Sequence, residues 1–144
     1  MEHVVYLDAK AKELGKLRNG EKCMIIRGAT GRKFPYGRVF VGETLWFIEN
    51  SGDGMVRGKA VVKNVLNSEK LGDSEALRLI SGYQSKLCLT PNQIKRWSGK
   101  RYLVFIEVEK YLEVAPFRID RSSFGNMDDW LPVEVIGDIV KPPQ

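Results

Sequence analysis

The chain has 144 residues, of which 43% are hydrophobic and 28% charged, a composition that excludes a disordered protein and suits one domain with one hydrophobic core. Its net charge is +5. A single histidine and two separated cysteines, which we expect to be buried thiols, exclude a recognisable zinc site, so we expect no metal and no cofactor. The apolar runs are too short to span a bilayer and the first ten residues do not resemble a signal peptide, so we expect a cytoplasmic protein.

The first half of the chain alternates short strands with one helix and a glycine-rich loop. His3–Leu7 predicts a strand, and a helix follows over AKAKELGKLRN until Gly20 ends it. The apolar centre of KCMIIRG predicts a second strand, and GRKFPYGRVFVG predicts a loop. Glu43–Glu49 and Met55–Leu66 flank the turn sequence NSGDG and predict a hairpin, in which Gly58 marks a bulge or a close approach.

Residues 67–99 are predicted to form a helical insertion between strands. DSEALRLI has apolar residues at helical spacing. In TPNQIKRWSG, Thr90 is the N-cap, a proline takes the first helical position and Gln93 completes a capping box. Arg101–Val114 is the strongest strand prediction, and Val133–Val140 predicts a last strand. The order predicts an α+β fold, in which five or six mostly antiparallel strands form a small barrel flanked by helices. We expect one domain over residues 1–140 and a tail over 141–144.

Positive charge is concentrated in one part of the chain. Residues 16–38 hold seven Lys and Arg against one Glu. Phe34 and Tyr36 lie within this basic stretch, and aromatic rings among cations are typical of nucleic-acid binding because bases stack on them. A solvated basic surface is the alternative. The run GATGRKF does not match a P-loop, because its glycines are three apart and Phe34 stands where Ser or Thr is required.

A second group of cations surrounds Trp97, near the end of the predicted helical insertion. No acid lies among them, so they predict a second contact with phosphates, with a solvated helix surface as the alternative. Because Ile94 and Trp97 are three residues apart on a helix, we expect Trp97 in the core rather than stacked on a base. The cations are Lys95, Arg96, Lys100 and Arg101.

Two adjacent acids, Asp128 and Asp129, are further candidates for chemistry. Paired carboxylates serve in acid–base catalysis, but no third metal ligand is near in sequence, and adjacent side chains diverge on extended backbone. We therefore predict a loop in which an aspartate caps a turn.

The run GEKCMIIR resembles the G-x-K-T-x-E-x-R signature of ASCH domains (activating-signal-cointegrator homology), which belong to the PUA-like fold superfamily. Gly20, Lys22 and Arg27 match its Gly, Lys and Arg, and the segments VGETLWFIENSGDGMVRGKAVVKNV and YLVFIEVEKYLEVAPFRIDRSSFG are similar to the family's later strands. The resemblance implies a PUA-like β-barrel with a cleft between barrel and helices, in which Lys22 and Arg27 are candidate ligand contacts. On a regular strand these two cations would point to opposite faces. Each could equally anchor a carboxylate.

The sequence departs from this signature where the chemistry of its relatives lies. Cys23 replaces the Thr, and Ile25 replaces the Glu. Some small ASCH proteins are amidohydrolases that act on acylated cytidine, and Ile25 stands where their chemistry requires a Thr- or Glu-type side chain. Isoleucine has neither a nucleophilic oxygen nor a proton to donate, so this activity is disfavoured and no catalytic residue is assigned.

The sequence therefore favours a non-catalytic RNA-binding module, with RNA preferred to DNA, as a monomer or weak dimer. Two alternatives stay open. One is a hydrolase acting on a modified nucleoside or a small RNA, and the other is a protein-interaction or regulatory domain that uses the same basic surface. The predicted nucleic-acid contacts are Lys22, Arg27, Arg32, Lys33, Tyr36, Arg38, Lys95, Arg96, Lys100 and Arg101.

Overall fold

Six strands form one curled sheet in the computed structural model of the protein, which describes residues 1–142. The strands are β1 (Glu2–Leu7), β2 (Met24–Ala29), β3 (Thr44–Glu49), β4 (Met55–Asn67), β5 (Tyr102–Arg118) and β6 (Trp130–Val133). Their order across the sheet is β2-β5-β4-β3-β1-β6, and every neighbouring pair is antiparallel except β1 with β3. The sheet curls into a half-barrel, so the predicted α+β fold with a small, mostly antiparallel barrel is confirmed.

Helices pack on both faces of this sheet, the first against the core inside the half-barrel and the other three against the opposite face. They are α1 (Glu13–Arg18), α2 (Asp73–Gly82), α3 (Gln84–Leu87) and α4 (Pro91–Ser98), and a 3-10 turn follows at Ile136–Asp138. As predicted, Thr90 caps α4 and exchanges capping-box hydrogen bonds with Gln93. The longest helix, α2, has ten residues, and none within residues 1–142 has the length and apolar character that a bilayer crossing requires.

Strands β2 and β5, at one end of the sheet, are buried on both faces. Ile25 lies opposite Ile106, and both belong to the core inside the barrel. Ile26 lies opposite Phe105, and both pack against the helices, where Trp97 is only 5% exposed. Because alternate residues on a strand point to opposite faces, an unbroken apolar run is what a strand between two cores requires. The predicted core position of Trp97 is confirmed.

Gly58 of β4 lies where this strand departs from regular pairing. The register with β3 and with β5 shifts beside it. A Cβ atom at Gly58 would overlap the ring of Tyr111, which stacks on Phe47 with 6.1 Å between ring centroids. The predicted close approach at this glycine is confirmed.

Three local predictions differ from the structure. Helix α1 begins only at Glu13, because Lys12 has a φ of 57° and a helix cannot continue through this left-handed conformation. The last strand is Trp130–Val133, and the predicted strand Val133–Val140 contains the 3-10 turn instead, since its Gly-Asp pair favours a turn. Both cysteines are half-buried rather than buried.

Candidate functional site: a cationic cleft beside helix α4

A cleft separates α4 from the edge of the sheet. It consists of two adjoining cavities of about 520 and 330 Å³, which fall within the size range of small-ligand sites. The cavities are continuous because they share wall residues from β2, from α4 and from the loop before β6. The shared residues are Arg27, Arg96, Trp97, Met127 and Asp129.

The two cavities differ in charge. The smaller one, which we call the cationic cavity, has four cations, four aromatic rings and one acid in its wall, whereas the larger one, the polar cavity, carries three cations and four acids. The cationic cavity is lined by Arg27, Lys33, Arg96, Lys100, Phe34, Tyr36, Trp97, Tyr102 and Asp129. The charged residues of the polar cavity are Arg27, Arg96, Arg121, Asp8, Glu13, Asp128 and Asp129.

Arg27 lies where the cavities meet and is only 7% exposed. Its Nη2 atom donates a hydrogen bond to the backbone oxygen of Tyr6 at 2.6 Å, and Nη1 donates to the backbone oxygen of Ile26 at 2.8 Å. Its Nε atom is buried without a hydrogen-bond partner, 3.4 Å from the carboxylate of Asp129. Strands β1 and β2 are not neighbours in the sheet, so the Arg27–Tyr6 hydrogen bond joins them across the open side of the half-barrel.

A buried histidine holds the tryptophan ring on which Arg27 packs. The guanidinium of Arg27 lies over the ring of Trp130, with 5.6 Å to its centroid. Trp130 Nε1 donates to His3 Nδ1 at 3.0 Å, and the other ring nitrogen of His3 lies 2.9 Å from the carboxylate of Glu43. Because Nδ1 accepts, the ring proton is on Nε2, facing Glu43. Burial lowers the pKa of His3, although Glu43 opposes the shift.

Arg32 lies over the two tyrosines that line the cationic cavity. Its guanidinium carbon lies 5.9 Å from the ring centroid of Tyr36 and 5.4 Å from that of Tyr102. The two rings meet edge to face at 5.6 Å. Tyr36 is further held by a hydrogen bond from its hydroxyl to the backbone oxygen of Ser68. The rings are therefore fixed, and the cation above them is exposed.

Gly28 allows Lys100 to reach the cationic cavity. A Cβ atom at Gly28 would lie 3.1 Å from Cβ and Cγ of Lys100 and 2.6 Å from Cδ2 of Leu103. The aliphatic stem of Lys100 thus crosses β2 directly over the glycine backbone, and the packed stem restricts where the ammonium group can lie. This is a position at which the absence of a side chain is required.

Lys22 forms a buried ion pair behind the polar cavity. The side chains of Lys22 and Glu13 are 0% and 6% exposed, and Nζ lies 3.1 Å from Glu13 Oε2. Nζ also donates to the backbone oxygen of Leu87 at 2.6 Å, while Glu13 Oε1 accepts the backbone N–H of Asp8 at 2.8 Å. Burial lowers the pKa of Lys22 against the opposing effect of Glu13. Burial raises the pKa of Glu13, but the charges of Lys22 and Arg27 outweigh it and hold that pKa below its usual value.

Strand alternation does not apply to Lys22 and Arg27 as a pair, because Lys22 precedes β2 and is not part of the strand. The charges of both cations lower the pKa of Glu13. The alternative prediction, that each cation anchors a carboxylate, is confirmed by the pairs Lys22–Glu13 and Arg27–Asp129.

The structure brings together half of the residues predicted to contact nucleic acid. Those that line the cleft are Arg27, Lys33, Tyr36, Arg96 and Lys100. Arg32 lies beside it, over two of its tyrosines. The residues that line neither cavity are Lys22, Arg38, Lys95 and Arg101.

The basic stretch over residues 16–38 is not one continuous surface. Lys16 donates from Nζ to the backbone oxygen of Cys88, and Arg18 pairs with the carboxylate of Glu113. Neither cation lines the cleft. Only the part of the stretch from β2 onward therefore contributes charge there.

The loop before β6 closes the cleft on the other side. Asp128 Oδ2 accepts the backbone N–H of Gly125 at 2.9 Å, so the predicted turn-capping aspartate is confirmed. The backbone oxygen of Asp129 accepts the N–H of Tyr6 at 3.0 Å, which fixes the loop to β1. Within residues 1–142, no three His, Cys, Asp or Glu side chains are arranged to hold a metal ion.

Several cleft residues could not be identified from the sequence. Tyr6 and Arg121 stack with 5.1 Å between guanidinium carbon and ring centroid, but 115 positions separate them, and only the pairing of β1 with β6 brings them together. Gln93 carries a sequence signal, but as a capping residue. Tyr102 is the second residue of the strongest predicted strand, and nothing in that pattern shows which face it occupies.

A half-barrel of six strands, with helices over β2 and a charged cleft between them, defines a small α+β domain of the PUA-like kind. No protein-family model matches the chain, and a search of curated proteins finds no match. Crystal structures of an ASCH protein from Zymomonas mobilis, ZmASCH, do match. ZmASCH itself aligns with a TM-score of 0.68 at 17% identity, covering 92% of this chain and 87% of that one.

Two mutants of ZmASCH align equally well. Their TM-scores are 0.69 and 0.68 at 16% identity, covering 92% of this chain and 90% or 88% of theirs. At such identity the likeness concerns the fold alone. The chain therefore has the fold of an ASCH domain, as the resemblance in GEKCMIIR predicted.

Proposed function

We propose that this protein is a nucleic-acid-binding module that holds its partner in the cleft beside α4. The observation that carries the proposal is the meeting of cations and aromatic rings in one concave site. Cations neutralise phosphates, and fixed rings offer faces on which bases stack. RNA is preferred to DNA as the partner on the strength of the PUA-like fold.

The cleft residues divide into two groups by accessibility. Lys33 and Arg96 are exposed, and the guanidinium of Arg96 lies over the ring of Trp97 with 4.4 Å to its centroid. Arg27 is buried and fixed by its hydrogen bonds. Arg32 lies over the rings of Tyr36 and Tyr102. A base that stacks on either ring would take the place of Arg32, whose charge would then be available to a phosphate.

The position of Ile25 argues against the hydrolase alternative. Ile25 is 0% exposed and packs inside the barrel. It therefore brings no reactive group to the cleft. We assign Lys22 a structural role, because its amine is engaged by Glu13 and Leu87.

The test is RNA binding by matched variants at two salt concentrations. Lys33→Gln/Arg96→Gln removes two cleft cations, and Arg38→Gln/Lys95→Gln removes two exposed cations outside the cleft. Net charge falls equally in both variants. For single-stranded RNA, we expect the cleft variant to lower the salt slope by about 1.4, roughly 0.7 for each lost phosphate contact, and the control to change it little.

Four outcomes would contradict the proposal. No RNA binding at low salt would refute it, and equal losses in the two variants would reduce it to bulk electrostatics. Turnover of an acylated nucleoside that vanishes on mutation of Lys22 would favour the hydrolase. A protein partner retained after nuclease treatment, with no RNA bound, would favour the protein-interaction alternative.

A further inference from the structure

We infer that the cationic cavity is a site for a phosphomonoester, either the phosphorylated end of an RNA strand or the phosphate of a free nucleotide. The inference deepens the proposed function and rests on it for the RNA source. It concerns the chemistry of the bound phosphate, which is terminal rather than part of a continuous strand. Three features of the cavity wall carry it.

The first feature is an excess of positive charge in a small volume. Arg27, Lys33, Arg96 and Lys100 line a cavity of about 330 Å³, and Asp129 is the single acid in its wall. A phosphodiester within a strand carries one negative charge and two free oxygens. A phosphomonoester carries a charge of about −1.5 to −2 near neutral pH and has three free oxygens, so it matches four cations better.

The second feature is the loop that forms one wall of the cavity. Thr30, Gly31, Lys33 and Phe34 line it. Among the described residues 1–142, no acceptor receives the backbone N–H of any residue from 30 to 34. This loop is exposed from Thr30 to Lys33, so its N–H groups are solvated. Those that face the cavity can donate to a bound phosphate in place of water, in addition to the four cations.

The third feature is that one of the cations is held in place before any ligand arrives. Arg27 is more than nine-tenths buried and fixed by two hydrogen bonds to backbone oxygens, and its Nε atom has no hydrogen-bond partner, with the carboxylate of Asp129 3.4 Å away. Lys100 is restricted less, because only its Cβ and Cγ pack at Gly28. A cation fixed in advance loses little side-chain entropy on binding, which distinguishes a built site from mobile surface lysines.

The charge of the neighbouring polar cavity indicates which end of the ligand lies in the cationic cavity. Asp8, Glu13 and Asp128 line that cavity only, so a dianion is disfavoured there. The phosphate is therefore expected in the cationic cavity, with the rest of the ligand extending past Arg96 and Trp97, which line both.

The experiment compares binding of one short single-stranded RNA in three forms: with a 5′-phosphate, with a 3′-phosphate, and with hydroxyl groups at both ends. A nucleoside monophosphate and its nucleoside form a second arm that tests the free-nucleotide source. We expect one phosphorylated form to bind about tenfold more tightly than the hydroxyl form, the effect of one additional charge-assisted contact. The gain should diminish at about pH 5, where a phosphomonoester loses its second charge.

Matched variants locate the effect. Lys100→Gln should abolish the preference for a terminal phosphate, and Lys95→Gln, a nearby cation of α4 that lines neither cavity, should retain it. Lys33→Gln provides a second test of the cavity on an exposed loop, in case Lys100→Gln does not fold.

The outcomes separate the inference from the proposed function. If all RNA forms bind equally and all depend on Lys100, the phosphomonoester site is refuted and RNA binding stands. If the monophosphate binds through Lys100 and no RNA binds, the site stands and RNA binding is refuted. If neither binds, both are refuted.

Discussion

The buried pair of Lys22 and Glu13 offers a quantitative test of what the first cation of the signature does. Lys22→Met keeps most of the apolar stem but removes an amine with two partners, Glu13 and the backbone oxygen of Leu87. The carboxylate of Glu13 then stays buried, where it still accepts the backbone N–H of Asp8 and is still stabilised by the charge of Arg27. Because those two partners stay in place, we expect a loss of about 3 kcal/mol of unfolding free energy, the lower end of the range for a broken buried pair.

Glu13→Gln should cost at least as much. The two carboxylate oxygens of Glu13 accept from different donors, Oε1 from Asp8 and Oε2 from Lys22. A glutamine has one oxygen, so its NH₂ group must face a donor, and Lys22 keeps a buried charge without a counter-ion. We expect a loss of about 3–5 kcal/mol. In the double variant the glutamine oxygen can accept the N–H of Asp8 without competition from Lys22. The loss of unfolding free energy in the double variant should therefore be smaller than the sum of the two single losses by about 2 kcal/mol or more.

The assay is urea unfolding followed by circular dichroism for the wild type, both single variants and the double variant. The exposed pair of Arg18 and Glu113, with side chains 49% and 52% exposed, is the matched control, and its coupling should stay below about 1 kcal/mol. Single losses below about 1 kcal/mol that add without overlap would refute the buried pair. RNA binding by the folded Lys22→Met variant should remain near wild type. A loss of RNA binding in a folded Lys22→Met variant would indicate that Lys22 contacts the ligand.

Two further predictions concern the sheet and its buried histidine. Gly58→Ala should destabilise the protein by roughly 1–3 kcal/mol in the same assay, because the new Cβ overlaps the ring of Tyr111, and unchanged stability would contradict that close approach. The pKa of His3 is lowered in the fold, so below the ordinary histidine pKa of about 6.5 the unfolded chain binds more protons than the folded chain. As the pH falls below that value, the free energy of unfolding should therefore decrease by up to about 1.4 kcal/mol per pH unit. His3→Gln should remove that part of the pH dependence, and an unchanged profile would show that His3 does not cause it.

Local sequence signals predicted those parts of the fold that neighbouring residues determine. The capping box of Thr90 and Gln93 predicted the start of α4, and Gly58 predicted a close approach. The start of α1 could not be predicted, because the left-handed conformation of Lys12 has no signature in an ordinary lysine. The alternation rule does not apply to Lys22, because the strand begins only at Met24.

The cleft was predictable only in part, because its walls come from five separate segments of the chain. The cations of the loop after β2 and of α4 were evident from their clustering. Their common position depends on β2 lying at the edge of the sheet and on α4 packing beside it, which no local pattern specifies. The role of Gly28 in placing Lys100 depends on a contact between residues 72 positions apart.

The hydrogen bond from Arg27 to Tyr6 would couple the proposed ligand binding to the stability of the domain. The same guanidinium lines the ligand cleft and ties β2 to β1, two strands that the sheet leaves apart. If an anion binds there as proposed and interacts better with Arg27 when this hydrogen bond is formed, linkage requires the hydrogen bond to strengthen anion binding by the same factor. Occupancy of the cleft should therefore slow amide exchange in both strands, and any change at Arg27 that weakens the tie will also weaken binding.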